Sequence, residues 1–397
     1  MSSRLILKPG REESLLRKHP WIFSGAVAEV IGAPHGGATV DIYSSHGDFL
    51  AKAAYSPRSK IRARVWSWNQ DEEIDIAFFQ RRMMAAVSMR EKYAGIFTDT
   101  NALRLIHGES DGLPGLIADR YRDVIVVQLL AIGVECWRNE IIELLAQIPG
   151  VKAVYERSDA DVRELEGLAP KNGILWGVLP SGFVSIVENG LSFVVDIQNG
   201  HKTGFYLDQR SNRKVVRSLS HQCEVLDCFS YTGGFTLNAL VGGASSVVAV
   251  DSSALALEML KNNIEENTLS PDHLELLQAD VFRALRLFRD QGKSFDMIIL
   301  DPPKFAQTSL MAERAARGYK DINLLAFKLL RHNGTLITFS CSGGVSSDLF
   351  QKIVSGAALD ADVDARIVAH LYQDVDHPVA LNFPEGAYLK GLVVSVS

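Results

Sequence analysis

Leu226-Asp-Cys-Phe-Ser-Tyr-Thr-Gly-Gly-Phe235 is the stretch that decides the fold. It is the exit of an apolar strand, Glu224–Cys228, into a turn and then a helical pattern. Two adjacent glycines at a strand-to-helix turn let backbone approach a ligand closely. The spacing is not G-x-G-x-x-G, so a pyrophosphate cradle of the dinucleotide type is poorly supported. Around this turn, strand and helix patterns alternate. Strands read at Ser246–Asp251, Leu274–Ala279, Phe295–Leu300, Thr335–Ser340, Ala365–Tyr372 and Tyr388–Val396. The last two have no helix between them and read as an antiparallel pair. The pattern predicts an α/β domain with a doubly wound, Rossmann-like seven-stranded sheet whose last strand is reversed.

Ligands of such sheets bind at the carboxyl ends of the strands. The second strand ends in Val248-Ala-Val-Asp251, where an acid can accept hydrogen bonds from ribose hydroxyls. The third ends in Gln278-Ala-Asp-Val-Phe282, so Asp280 can accept from an adenine amino group, with Val281 beside the ring. The fourth ends in Asp301-Pro-Pro-Lys-Phe305. An Asp at a strand end is often only a cap or turn residue. The four features in strand order, however, resemble class I S-adenosylmethionine-dependent methyltransferases. A nicotinamide dehydrogenase, the competing class, requires a phosphate loop and does not call for Asp301-Pro-Pro303. The expected cofactor-binding set is Asp227, Phe229, Ser230, Tyr231, Thr232, Gly233 and Gly234, then Asp251 with Ser252, Asp280 with Val281, and Asp301 with Pro302.

The fifth strand ends in Thr338-Phe-Ser-Cys-Ser-Gly-Gly344, which sets Cys341 at the same edge, beside the Asp301 loop. A thiolate can add to C6 of a pyrimidine and make C5 nucleophilic. C5 otherwise has no lone pair to offer. Cys341 is therefore the candidate nucleophile and Asp301 the group that holds the base. An enzyme acting on an exocyclic amino group would not need the thiol. One acting on uracil C5 would. Cys228 reads as packing inside the cofactor turn. Cys136 and Cys223 read as ordinary helix or strand-edge residues, and His377 as a turn histidine. No two of the four cysteines form a C-x-x-C pair, so no metal site is expected.

The N-terminal part is different. Residues 1–73 carry short strands (Ala38–Tyr43, Phe49–Tyr55, Lys60–Trp68) between turn residues, the pattern of a small β-barrel. Residues 1–68 hold ten Lys/Arg and five Asp/Glu, a local +5 in a chain of net charge −6. Along Lys60-Ile-Arg-Ala-Arg-Val-Trp-Ser-Trp68, alternation puts Lys60, Arg62, Arg64, Trp66 and Trp68 on one face. Bases interleaved with aromatics suit phosphate contact and base stacking. Lys60, Arg62 and Arg64 are thus candidate RNA contacts, with Lys304 a further candidate for a phosphate. Residues 74–190 read as a small α+β domain, with helices at Asp75–Tyr93 and Val134–Leu145 and a hairpin turned at Glu188-Asn-Gly190. Residues 191–397 are the catalytic domain. With 397 residues, 47% hydrophobic and 22% charged, the chain is neither disordered nor collagen-like. No apolar run reaches the ~18–20 residues of a membrane helix, and the start lacks a secretory core. A cytoplasmic protein is expected.

Several segments are more specific than this general frame. They are Lys8-Pro-Gly-Arg-Glu12, His19-Pro-Trp-Ile-Phe-Ser24, His107-Gly-Glu-Ser-Asp-Gly-Leu-Pro-Gly-Leu116, Lys202-Thr-Gly-Phe-Tyr-Leu-Asp-Gln-Arg210, Asp227–Phe235, Asp301–Phe305, Ser340–Gly344 and Phe383-Pro-Glu-Gly386. Over essentially its whole length the sequence resembles the ribosomal RNA large subunit methyltransferase I family, which makes 5-methylcytosine in bacterial 23S rRNA. The resemblance implies an N-terminal PUA domain, a central α+β domain and a Rossmann-like catalytic domain. It implies S-adenosylmethionine as cofactor, with Phe205, Asp208 and Arg210 on a segment that closes over it, and Cys341 as nucleophile. Many RNA 5-methylcytosine enzymes carry a second Cys after the D-P-P-type aspartate. Here Lys304 ends that motif, so the group that removes the C5 proton is not identified. The partner implied is 23S rRNA, naked or in an assembling subunit. The oligomeric state is open, with a slight lean to a homodimer.

Overall fold

The computed structural model describes residues 3–93, 99–305 and 312–397. The chain forms two compact units. The first comprises Met1–Gly190, Val195–Leu207 and Val375–Gly386. The second comprises Leu191–Val194, Asp208–Asp374 and Ala387–Ser397.

The first unit begins with six strands: β1 (Arg4–Leu7), β2 (Trp21–Phe23), β3 (Val27–Ile31), β4 (Thr39–Tyr43), β5 (Phe49–Tyr55) and β6 (Ile61–Ser67). They form one sheet in the order β2-β6-β5-β4-β1-β3. Alternation builds its core: Leu5, Leu7, Val40, Ile42, Ala51, Ala53, Ala63 and Val65 point the same way and pack together. The opposite face of β6 is also covered. Trp66 is 2% exposed and meets Phe78 and Phe79 of the helix Ile76–Lys92. That helix starts where the sequence predicts, because Asp75 caps it by accepting from the Phe78 N–H at 2.8 Å.

A second sheet follows, with β7 (Ala102–His107), β8 (Leu116–Tyr121), β9 (Val124–Leu129), β10 (Ala153–Ser158) and β11 (Lys171–Gly177). Its order is β11-β10-β9-β8-β7. The helix expected over 134–145 is two helices, Ile132–Cys136 and Arg138–Ala146, broken at Trp137, whose ring lies 4.9 Å from that of Phe79. Strands β12 (Phe183–Glu188) and β13 (Leu191–Asp196) pair through Asn189 and Gly190. Both turn residues have positive φ, as a two-residue hairpin requires.

The second unit holds the seven-stranded sheet. Its strands are β14 (Glu224–Cys228), β15 (Ser246–Asp251), β16 (Leu274–Gln278), β17 (Phe295–Leu300), β18 (Leu330–Ser340), β19 (Ala365–Tyr372) and β20 (Lys390–Val396). The order is β16-β15-β14-β17-β18-β20-β19. Strands β14 to β18 pair in parallel, and β20 runs antiparallel to both its neighbours. The reversed last strand is thus present, inserted between β18 and β19. Helices cover both faces, which is why the strands read as unbroken apolar runs. In β17, Ile298 and Leu300 enter one core cluster while Met297 and Ile299 enter the other. No helix among the described residues is long and apolar enough to cross a membrane.

Candidate active site

The site is built at the carboxyl edge of the seven-stranded sheet, from the turns that follow β14, β15, β17 and β18. After β14 the chain turns sharply. Phe229 and Tyr231 take φ of 62° and 49°, and Gly233 takes 88°. Positive φ is costly for residues with a Cβ, so this turn is held by its surroundings. The Tyr231 N–H donates to Asp251 Oδ2 at 2.9 Å, and the Ser230 N–H to the Val250 carbonyl at 3.1 Å. The Thr232 carbonyl accepts from Asn263 at 2.9 Å. Gly233 cannot be larger, because a Cβ there would stand 2.6 Å from Leu260 Cγ.

Asp227 lies beneath the turn, fully buried. Its Oδ2 accepts from the Thr236 hydroxyl at 2.6 Å. Its Oδ1, and the buried Ser230 hydroxyl, have no hydrogen-bond partner among the described residues. Loss of hydration pushes the Asp227 carboxyl up to about 7, against the Thr236 hydrogen bond, and the charges of Asp301 and Asp251 add to the rise. Asp251 also accepts from the Ser253 N–H at 2.8 Å, with Ser252 exposed beside it. The Asp301 N–H reaches the Cys228 carbonyl at 3.5 Å, joining the ends of β14 and β17. Asp227, Asp251, Asp301 and the 229–234 turn therefore share one edge.

The other expected cofactor residues have more structural surroundings. Asp280 is exposed and caps the helix Val281–Asp290, accepting from the Arg283 N–H at 3.0 Å. Val281 is 3% exposed and belongs to the core. Asp208 accepts from the Tyr388 hydroxyl at 2.6 Å, and Arg210 forms a buried ion pair with Asp374 at 2.9 Å. Phe205 belongs to the first unit, where it is buried and its N–H donates to the Tyr121 hydroxyl.

Cys341 follows β18, as expected, with its Sγ 3.9 Å from the Pro302 carbonyl. Pro302 is buried and Lys304 exposed. Tyr319, from the helix Ala312–Leu329, is hydrogen-bonded through its hydroxyl to that of Ser342 at 2.9 Å. Burial raises its phenol, two serine hydroxyls oppose the rise, and the charges of Cys341 and Asp301 contribute. One residue here has no counterpart in the sequence reading. Lys390, the first residue of β20, is 8% exposed and donates from Nζ to the Ser342 carbonyl at 2.8 Å. Only the pairing of Ser340 with Lys390 across β18 and β20 brings it to Cys341, across 49 residues of sequence.

The remaining thiols differ in exposure: Cys136 is exposed, Cys223 half-buried and Cys228 buried. Cys228 is buried and its thiol is pushed well up by burial. Cys136 ends a short helix and Cys223 precedes β14, and burial raises both. His377 is buried in the first unit, its Nδ1 2.8 Å from Asp376.

The basic strand β6 departs from expectation at Arg64. Arg64 is 7% exposed and paired with Glu166 at 2.8 Å. Glu109 stands 3.7 Å away on the other side of its guanidinium. Its charge is thus answered inside the first unit, and Trp66 is core rather than a stacking platform. Lys60 is exposed. Arg62 is half-buried and donates to the Pro57 carbonyl.

Two family models match the chain. An S-adenosylmethionine-dependent methyltransferase model covers residues 105–381, and a PUA-like domain model covers residues 5–68. The chain is 48% identical to ribosomal RNA large subunit methyltransferase I of Erwinia tasmaniensis and 50% identical to that of Escherichia coli strain SMS-3-5. In each case the match covers 100% of both chains. Among solved structures, a Streptococcus mutans chain assigned to the SAM-dependent methyltransferases is 23% identical with a TM-score of 0.85. It covers 99% of this chain and 100% of its own, and bears on the fold alone.

Proposed function

The chain belongs to the ribosomal RNA large subunit methyltransferase I family, and on that premise we propose that it methylates C5 of a cytidine through a covalent bond between Cys341 and C6. It is an S-adenosylmethionine-dependent rRNA methyltransferase with an N-terminal PUA-like domain. The target we infer is 23S rRNA, in the cytoplasm, with the cytidine flipped out of its stack into the site. The division of labour we infer is RNA binding by 1–73 and 74–190, and chemistry by 191–397.

The residues present fit S-adenosylmethionine. The buried, unpartnered Asp227 Oδ1 and Ser230 hydroxyl are what the ammonium group of the methionine end needs, and the 229–234 turn allows close approach. Asp251 with Ser252 would hold the ribose, and Asp280 with Val281 the adenine. Asp208 and Arg210 would close the site. Bound, the cofactor supplies an electrophilic methyl group on a sulfonium.

The chain's own residues do the rest. Asp301 accepts from the exocyclic N4–H of the base and shares a proton with N3, which takes up charge as the thiolate adds. Pro302 and Pro303 fix that loop and cannot donate hydrogen bonds to compete. The Cys341 electron pair forms the Sγ–C6 bond, and the C5–C6 π pair moves toward C5. With a methyl group on C5, loss of the C5 proton to a base and cleavage of Sγ–C6 return the thiolate.

The observation that supports this reading best is the Cys341 thiol 3.9 Å from the Pro302 carbonyl, on the same sheet edge as the cofactor turn. The test is trapping. Enzyme, S-adenosylmethionine and 5-fluorocytidine-substituted rRNA are incubated with wild type and Cys341→Ala in parallel. Fluorine on C5 cannot leave as a proton, so a denaturation-resistant protein–RNA adduct is expected with wild type alone. Absence of an adduct, with methyl transfer to ordinary rRNA surviving in Cys341→Ala, would move the reaction to an exocyclic amino group.

A further inference from the structure

A thiol must lose its proton before it can add to a pyrimidine, and an ordinary cysteine is mostly protonated at neutral pH. The pocket around Cys341 is partly buried, which by itself holds the proton on. Something must oppose that. We propose that Lys390 is a positioning residue whose buried ammonium stands beside Cys341 and keeps it a thiolate. This rests on Cys341 being the nucleophile.

Three observations carry it. First, Lys390 is 8% exposed, although a lysine on the first residue of a strand has solvent within reach of its long stem. A buried ammonium needs a partner. Second, its Nζ is tied to the Ser342 carbonyl at 2.8 Å. That bond fixes the ammonium one residue from Cys341 on the chain that carries the sulfur. Third, the antiparallel pairing sets Ser340 opposite Lys390, so the side chain springs from the strand beside the one that ends at Cys341. The charges of the two groups act on each other: burial lowers the Lys390 amine to about 8, and Cys341 acts in the opposite direction. An amine at about 8 is mostly protonated at pH 7.

Other groups face this pair. Lys304, after β17, opposes charge on Lys390. Tyr319, on the helix Ala312–Leu329, is acted on by the charges of both Cys341 and Asp301, the latter at the end of β17. On β19, Tyr372 is opposite Lys390 in register and exposed. A carboxylate such as that of Asp301 disfavours a thiolate near it, and ammonium groups such as those of Lys390 and Lys304 favour one. Of these cations Lys304 is exposed and screened by water. Lys390 is the one shielded from it. Deprotonation needs no further reagent: the Sγ–H proton passes to solvent, and the electron pair left on sulfur is the one that forms the bond to C6.

The test is the rate of Cys341 alkylation by iodoacetamide as a function of pH, followed by peptide mass spectrometry on the full chain. Cys136 in the same samples is the internal control. Lys390→Gln keeps a donor for the Ser342 carbonyl and removes the charge. Lys390→Arg keeps the charge. The expected result is a wild-type midpoint below the ordinary thiol value of about 8.5. Lys390→Gln should alkylate roughly tenfold more slowly at pH 7, its midpoint raised by about one unit. Lys390→Arg should stay near wild type, and Cys136 should be unchanged in all three. Steady-state methyl transfer by Lys390→Gln should lose kcat with KM for S-adenosylmethionine unchanged. Superimposable profiles for wild type and Lys390→Gln would overturn the proposal. So would a wild-type midpoint at or above about 8.5, which decides the matter even if neither variant folds. Failure of the nucleophile reading shows elsewhere, as the absence of a trapped adduct with wild type.

Discussion

Burying a carboxyl group removes its hydration, and a single hydroxyl is poor compensation. Asp227 is in that position, with Thr236 on one oxygen and the other unpartnered among the described residues. Its carboxyl is pushed up to about 7, whereas in an unfolded chain it titrates near 3.9. The folded chain therefore binds the proton more tightly across that interval. The stability this group contributes is fully present below about pH 4 and is lost as pH rises through about 7. Asn at this position keeps the shape and has no charge to desolvate. Without cofactor, Asp227→Asn should be more stable than wild type at pH 8, by on the order of a few kcal/mol, and equal to it near pH 4. With S-adenosylmethionine the order reverses, because Asn cannot answer an ammonium group. Thermal unfolding at pH 8, with and without the cofactor, checks both halves. Equal cofactor-induced shifts in the two proteins would remove Asp227 from the cofactor site.

At the scale of elements, the turn after β14 is a strained piece of backbone fixed by its neighbours. Gly233 sits at φ 88° with Leu260 and Leu237 close to where a Cβ would go. Gly233→Ala should cost at least about 1–2 kcal/mol, from the conformation alone before any clash is counted. The helix Gly234–Val241 starts here, so the same change should weaken S-adenosylmethionine binding. Urea unfolding and calorimetric titration measure the two effects, and wild-type values in both would mean that the turn is looser than its dihedrals imply. Legibility also divides at this scale. The parallel strands could be read within a few residues, apart from the start of β18, because strands buried on both faces are continuous apolar runs. Cys341 could be read because what places it is local, a strand end. Lys390 could not, because its position depends on which strand β20 pairs with and in what register. Arg64 illustrates the same limit. Alternation correctly gave its face, but the partner that covers it, Glu166, lies 102 residues away. The break at Trp137 has a similar origin, since the ring packs on Phe79 from another helix.

Over the whole molecule, charge is distributed against the net value. The chain carries −6, yet residues 1–68 carry +5 and the remainder −11. A polyanion such as rRNA is attracted only where the positive groups are open to it, and each phosphate neutralised releases counterions, so affinity falls with salt. The structure separates Lys60 and the basic groups of β6 in this respect. Lys60 is exposed and Arg62 half-open, whereas Arg64 is spent on Glu166 within the first unit. Replacing Lys60 and Arg62 together by Ala should weaken rRNA binding and reduce the slope of log K against log salt by about 1–2. Stability should change little, since surface substitutions usually stay within about 0.5 kcal/mol. Arg64→Ala should do the reverse. It leaves Glu166 buried without its counter-charge, at a cost of about 3–5 kcal/mol, while the salt slope of the folded protein stays as it was. Filter binding over a salt series and chemical unfolding of the same proteins separate the two roles. A reduced slope for Arg64→Ala at full stability would mean that the ion pair opens to receive a phosphate. An unchanged slope for the Lys60/Arg62 double variant would move the RNA-binding surface of this domain off β6.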